Sequence, residues 1–169
     1  AETFQCKVVG VTDGDTITCL TDQKEQVKVR LYQIDAPELN QPYGEKAQQL
    51  LSDMVLKKNV LIVTELPAKD KMTFGIVYLL ERGDFCLLNL RKCNSLFYDV
   101  NYFVILSGFA WHYPLKANMA EHNDVNYILA EIMAKAAERG LWADKHAMPP
   151  WEWRKERKWK ERKGERERE

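Results

Sequence analysis

Apolar residues alternate with polar ones in the first third of the chain and then recur at helical spacing, so the pattern predicts a small sheet with helices added to it. Gln5 to Val11 and Thr16 to Leu20 are β-rich runs separated by Asp13-Gly14, a dipeptide that favours a tight hairpin. Gln26 to Ile34 continues the strand pattern, with Val27, Val29 and Leu31 on one face and Lys28, Arg30 and Tyr32 on the other. Arg30 is therefore expected to leave the apolar face. Asn59 to Glu65 and Phe74 to Leu80 read as two further strands, joined by the polar run Pro67-Ala68-Lys69-Asp70-Lys71. Five short strands in this order suggest a small barrel.

Helical spacing appears after a loop bracketed by Pro37 and Pro42. Gly44 to Lys57 places Ala47, Leu50, Leu51, Met54 and Val55 on one face, which predicts a core helix. The stretch from Glu81 to Ser107 follows neither period cleanly, and a hairpin or loop leading to a helix near Val100 to Leu106 is the expectation. A further helix from about Asp124 to Arg139 is expected to bury Ile128, Leu129, Ile132, Met133 and Ala136, with Gly140 as its left-handed stop and Trp142 docking back into the core.

The 169 residues suffice for one domain with its own core. No apolar run approaches the ~20 residues needed to cross a bilayer, which excludes a helical membrane protein. Net charge is zero but unevenly spread: residues 154–169 carry nine Lys/Arg against five Glu, out of 25 of each sign in the chain. The body is acidic and the tail basic, and a mixed charge run of this kind is by default a solvated helix or frayed tail. A neutral protein lacks the broad positive field of a tight nonspecific DNA binder, so contact with nucleic acid should be local and transient.

Cys6, Cys19, Cys86 and Cys93 lack Cys-x-x-Cys spacing, which disfavours zinc. Cys6 and Cys19 flank the Asp13-Gly14 turn almost symmetrically, and Cys86 and Cys93 close a short loop. Two disulfides are the preferred reading, with four reduced, buried thiols as the alternative. With the opening Ala1-Glu2-Thr3, which looks like a chain after signal-peptide removal, this leads to the expectation of a secreted or periplasmic protein.

Candidate chemistry lies in Asp13-Gly14-Asp15-Thr16, Arg30 and Asp35-Ala36-Pro37-Glu38. Taken singly, the two acidic runs are an ordinary turn and an ordinary strand exit. Taken together they offer two carboxylates to share a hard cation, a third to activate water, and a guanidinium fork to hold a phosphate. On a regular strand Arg30 and Asp35 would face opposite sides, so a shared site requires a bend or bulge between them. His112, His122 and His146 have no ligand spacing, and Trp111, His112 and Tyr113 are as readily packing residues as base-stacking ones.

Val8-Val9-Gly10-Val11-Thr12-Asp13-Gly14-Asp15-Thr16-Ile17, Val29-Arg30-Leu31-Tyr32-Gln33-Ile34-Asp35-Ala36-Pro37-Glu38 and Tyr43-Gly44-Glu45-Lys46-Ala47 resemble the thermonuclease (staphylococcal nuclease) family in order and spacing. The likeness resumes at Asp99-Val100-Asn101, Gly108-Phe109-Ala110-Trp111 and Ala136-Ala137-Glu138-Arg139-Gly140-Leu141-Trp142, and covers most of residues 5 to 153. It implies an α+β, mainly β, fold: a five-stranded OB-fold barrel with about three helices over residues 1–153, followed by a charged tail at 154–169.

By the same resemblance, Asp15 and Asp35 with the Ala36 carbonyl match calcium ligands, Glu38 the general base, and Arg30 a phosphate-binding arginine. The implied activity is a calcium-dependent endonuclease acting on DNA and RNA, preferring single-stranded or frayed substrate, as a monomer and without a membrane. The competing expectation is a catalytically impaired OB module that binds nucleic acid or protein. Where the family has Asp-Lys-Tyr-Gly-Arg, this chain reads Asp70-Lys71-Met72-Thr73-Phe74, so the family's second arginine is replaced. Arg82, Arg91 and Lys92, in the long insertion between Leu79 and Asp99, are the substitutes weighed from sequence.

Overall fold

A computed structural model describes residues 2–69, 72–81, 96–113 and 124–166. Its hairpin is the one that Asp13-Gly14 predicts: β1 (Glu2–Asp13) pairs antiparallel with β2 (Thr16–Leu20), and β2 with β3 (Gln26–Leu31). β5 (Asn59–Lys69) and β6 (Met72–Glu81) form a second antiparallel pair, with β5 joined to β1. Both strands are longer than their apolar runs, and β5 passes through most of the segment expected to be a polar connection. A parallel pairing of β3 with β6, in which Arg30 lies opposite Phe74, closes the five strands into a barrel of OB type.

The expected strand from Gln26 to Ile34 is broken. β3 ends at Leu31, Gln33 adopts a left-handed φ of 59°, and a short strand β4 (Ile34–Asp35) begins anew against β8 (Trp111–His112). This is the bend that a shared site for Arg30 and Asp35 requires, because a left-handed residue resets which face the following side chains take. Tyr32, expected to share the polar face with Arg30, is buried.

Helix α1 (Gly44–Val55) packs on the barrel through Ala47, Leu51 and Val55, while Leu50 is only half-buried. Strand β7 (Leu96–Asp99) extends the sheet beyond β6 and leads into α2 (Val100–Leu106), which Asp99 caps by accepting the Tyr102 N–H. Asn101, fully buried on α2, donates to the carbonyls of Tyr32 and Gly75 and accepts the Val77 N–H. It thereby holds the helix to the place where β3 and β6 close the barrel.

The expected buried face of α3 (Val125–Ala136) is corrected. Tyr127, Ala130 and Ala134 face inward, and Ile128, Leu129, Ile132, Met133 and Ala136 are exposed, Ile132 by 54%. Apolar residues run nearly all round this helix, so periodicity does not select a face. The alanines allow close approach to α2, and the Tyr127 hydroxyl donates to Asp99 Oδ2 at 2.8 Å. The helix also stops early: Glu138 takes the left-handed conformation (φ 49°) ahead of Gly140, which opens a 3-10 turn (Gly140–Ala143). Leu141, rather than Trp142, enters the core; Trp142 lies half-buried against Trp111.

A fourth helix, α4 (Pro150–Arg166), runs without interruption through residue 154. Proline at its first position is suited to helix initiation. Among the described residues no helix is long and apolar enough to cross a membrane. Cys6 and Cys19 form a disulfide across the first hairpin, with Cα atoms 5.5 Å apart. Cys86 and Cys93, like Arg82, Arg91, Lys92 and His122, lie outside the described residues.

Asn101→Ala removes three buried side-chain-to-backbone hydrogen bonds where the barrel closes. The expected cost is about 2–4 kcal/mol, read as a fall in Tm of at least ~4 °C. An unchanged melting curve would show that the helix is held by packing alone.

Candidate active site

Three local devices bring the sequence-predicted residues together at one rim of the barrel. At the hairpin, Gly14 sits so close to Ala36 and Ala47 that a Cβ would overlap both side chains. Its absence lets the turn press against the strand exit. Asp15 follows directly; its N–H donates to Asp13 Oδ1, and its carbonyl accepts the Leu31 N–H. At the strand exit, the break at Gln33 turns Asp35 back toward Arg30. At the start of α1, Gly44 lies against the Glu38 carbonyl, which a Cβ would overlap, and this clamps the loop that carries Glu38.

Asp15 is 2% exposed and Asp35 1%, and both carboxylates converge on one nitrogen. Arg30 Nη2 donates to Asp15 Oδ2 at 3.2 Å and to Asp35 Oδ1 at 2.9 Å. Asp15 Oδ2 also accepts the Ala36 N–H at 2.8 Å, and its Oδ1 accepts the Thr16 hydroxyl at 3.0 Å. Burial pushes the Asp15 carboxyl up from an ordinary 3.8 to about 7; Arg30 and the Ala36 N–H oppose the shift, while Asp13 and Asp35 add to it. Glu38 stands at the edge of the group with its side chain 32% exposed.

A residue that sequence reasoning assigned to the tail completes the group. Arg154, in the first turns of α4, donates from Nη1 and Nη2 to the two oxygens of Asp35 at 3.1 and 2.7 Å, and from Nη1 to Glu38 Oε1 at 2.8 Å. Its hydrogen bond to Asp35 holds the guanidinium still more firmly protonated than usual. Aromatic packing seats the helix: Trp151 meets Trp111 and Tyr113 at centroid distances of 6.4 and 5.5 Å, and Trp153 Nε1 donates to Asn40 Oδ1. Buried Gln41 accepts the Glu38 N–H and donates to the Met148 carbonyl, joining the Glu38 loop to the approach of α4. The available signal was Pro149-Pro150 as a helix start with Trp151 and Trp153 on its first turn, which marks a docked helix rather than a frayed one.

Asp15 and Asp35 present hard oxygen donors that already share one cationic group, so they fit a divalent ion of the calcium type. Among the described residues no three acidic, His or Cys side chains form a closed cage. A cation held there would complete its shell with backbone, water or substrate oxygens.

An acid whose pKa is raised by folding contributes stability that is fully present below its unfolded value and is lost as pH rises through its folded value. In chelator, the stability tied to Asp15 should therefore decline between pH ~4 and ~7. Asp15→Asn should flatten that decline relative to the parent protein in thermal melts across this range. Identical pH profiles for the two proteins would mean that Asp15 is ionised throughout.

Residues 28–144 match the family model described as staphylococcal nuclease homologue. The chain is 34% identical over 153 residues to a Haemophilus influenzae protein named "Uncharacterized endonuclease", covering 90% of this chain and 74% of that one. It is 36% identical over 150 residues to Protein ParB of Escherichia coli, at 89% and 78% coverage, and 31% identical over 157 residues to the micrococcal nuclease of Shigella flexneri, at 90% and 81%. With the barrel and the grouped carboxylates, these similarities establish that the chain belongs to the staphylococcal nuclease family.

Proposed function

We propose that this protein is a calcium-dependent nuclease that hydrolyses phosphodiesters of DNA and RNA and prefers single-stranded or frayed substrate. The observation that carries the proposal is the convergence of Asp15, Asp35, Arg30 and Glu38 at one rim of an OB-type barrel. Relatives named as endonucleases and a micrococcal nuclease support the reaction class. An OB rim accommodates an extended strand more readily than a duplex, which supports the substrate preference. The Cys6–Cys19 disulfide supports an oxidising, secreted or periplasmic location.

In this reading Asp15 and Asp35, with the Ala36 carbonyl, hold calcium, which when bound supplies Lewis-acid polarisation of the phosphate. Glu38, partly exposed and clamped by Gly44 and Gln41, takes a proton from a water molecule as the water oxygen bonds to phosphorus. The P–O bond to the departing nucleotide breaks, and that oxygen leaves with the electron pair and is protonated from solvent. Arg30, tethered between the two aspartates, presents its remaining donors to the charge that builds on the phosphoryl oxygens.

Hydrolysis of single-stranded DNA should require calcium and stop with chelator. Glu38→Gln should keep the fold and the affinity for DNA while lowering turnover by about 10²- to 10⁴-fold, the range for a lost general base. DNA binding without any calcium-dependent cleavage would favour the binding-module reading instead.

A further inference from the structure

We infer that Arg154, delivered by α4, is the second phosphate-binding guanidinium of this site. The inference rests on the nuclease reading and adds to it a residue from outside the barrel. Arg154 touches both the carboxylate that would hold the metal and the one that would act as base, so a phosphate reaching Asp35 and Glu38 arrives at its fork. Across the parallel strand pair from Arg30, β6 offers Phe74 and no cation. The basic group comes instead from α4, a helix fixed by Trp151, Trp153 and the Gln41 contact.

Charge balance supports the assignment. Asp15, Asp35 and Glu38 carry three negative charges when ionised, and Arg30 and Arg154 two positive ones. A divalent cation then leaves the group one positive charge in excess, which the single negative charge of a phosphodiester satisfies. Without Arg154 the same set is neutral and has no charge of its own to attract the substrate. The geometry also allows the exchange: the Arg154 side chain is 34% exposed, so the fork can turn from Asp35 to a phosphate without leaving its seat. A bidentate guanidinium–phosphate contact is among the stronger polar interactions available to a protein.

The test uses the full chain, with Arg154→Ala and Arg154→Lys beside the parent protein. Arg154→Ala should lower turnover of single-stranded DNA by about 10²- to 10³-fold, as expected for loss of one preorganised donor. It should leave calcium affinity, measured by calorimetry, undiminished, and added guanidinium ion should restore part of the rate. Arg154→Lys keeps the charge and stem, and should retain more binding than turnover because the fork is gone. Unchanged or faster turnover in Arg154→Ala, with tighter calcium binding, would overturn the inference and make Arg154 a tethered competitor of the metal. Should the parent protein not cleave DNA at all, the nuclease reading fails separately. The inference is then decided by affinity for a phosphorothioate oligonucleotide in calcium: a loss of at least ~10-fold in Arg154→Ala upholds it, and equal affinity rejects it.

Discussion

Two carboxylates buried side by side in a barrel rim need positive charge within hydrogen-bonding distance, and the local architecture is organised around supplying it. Asp15 and Asp35 are almost wholly removed from water, so neither can be stabilised by solvent. Arg30 satisfies both from one nitrogen, and Arg154 takes up the remaining oxygen of Asp35. A buried charge stripped of its partner is strongly destabilising, and even with Arg30 in place burial keeps the Asp15 carboxyl pushed up. The tight approach at Gly14, the reversal at Gln33 and the seating of α4 all serve to bring these groups into contact.

The site has an inner and an outer layer. Asp15 and Asp35 form the inner one, fixed by strands and by the Ala36 N–H. Arg30, Glu38 and Arg154 form the outer one, each about a third exposed. On the proposed function, the inner layer would hold the cation and the outer layer would meet the incoming phosphate. That division matches the two tight approaches: Gly14 fixes the buried Asp15 turn against Ala36, and Gly44 clamps the backbone behind Glu38, whose side chain remains partly solvated.

The parts of the fold that local pattern determines were legible. Asp13-Gly14 marked the hairpin, the spacing of Ala47, Leu51 and Val55 marked α1, and the requirement for a bend before Asp35 anticipated the break at Gln33. Legibility failed where the deciding partner lies far along the chain. The exposed face of α3 depends on how closely its alanines approach α2, which a nearly uniform apolar pattern does not encode. Arg154 meets Asp35 across 119 residues and Glu38 across 116, and no local period reveals such a contact. Family likeness pointed to Asp15, Arg30, Asp35 and Glu38, yet it also directed attention to the strand position of Phe74 and away from α4.

The distance in sequence between Asp35 and Arg154 means that the two are synthesised far apart in time. Among the described residues the barrel core draws its buried members from Cys6 to Ala130 and none from α4, so closing the barrel does not depend on the apolar packing of that helix. A chain made from its N-terminus buries Asp15 and Asp35 with Arg30 as their arginine partner until residue 154 has been synthesised and the helix has found its aromatic seat. Maturation of the site is thus separable from folding of the domain. A barrel can be native in every strand and still, with its carboxylates ionised, carry an excess of negative charge at its rim, where on the proposed function it would repel its polyanionic substrate.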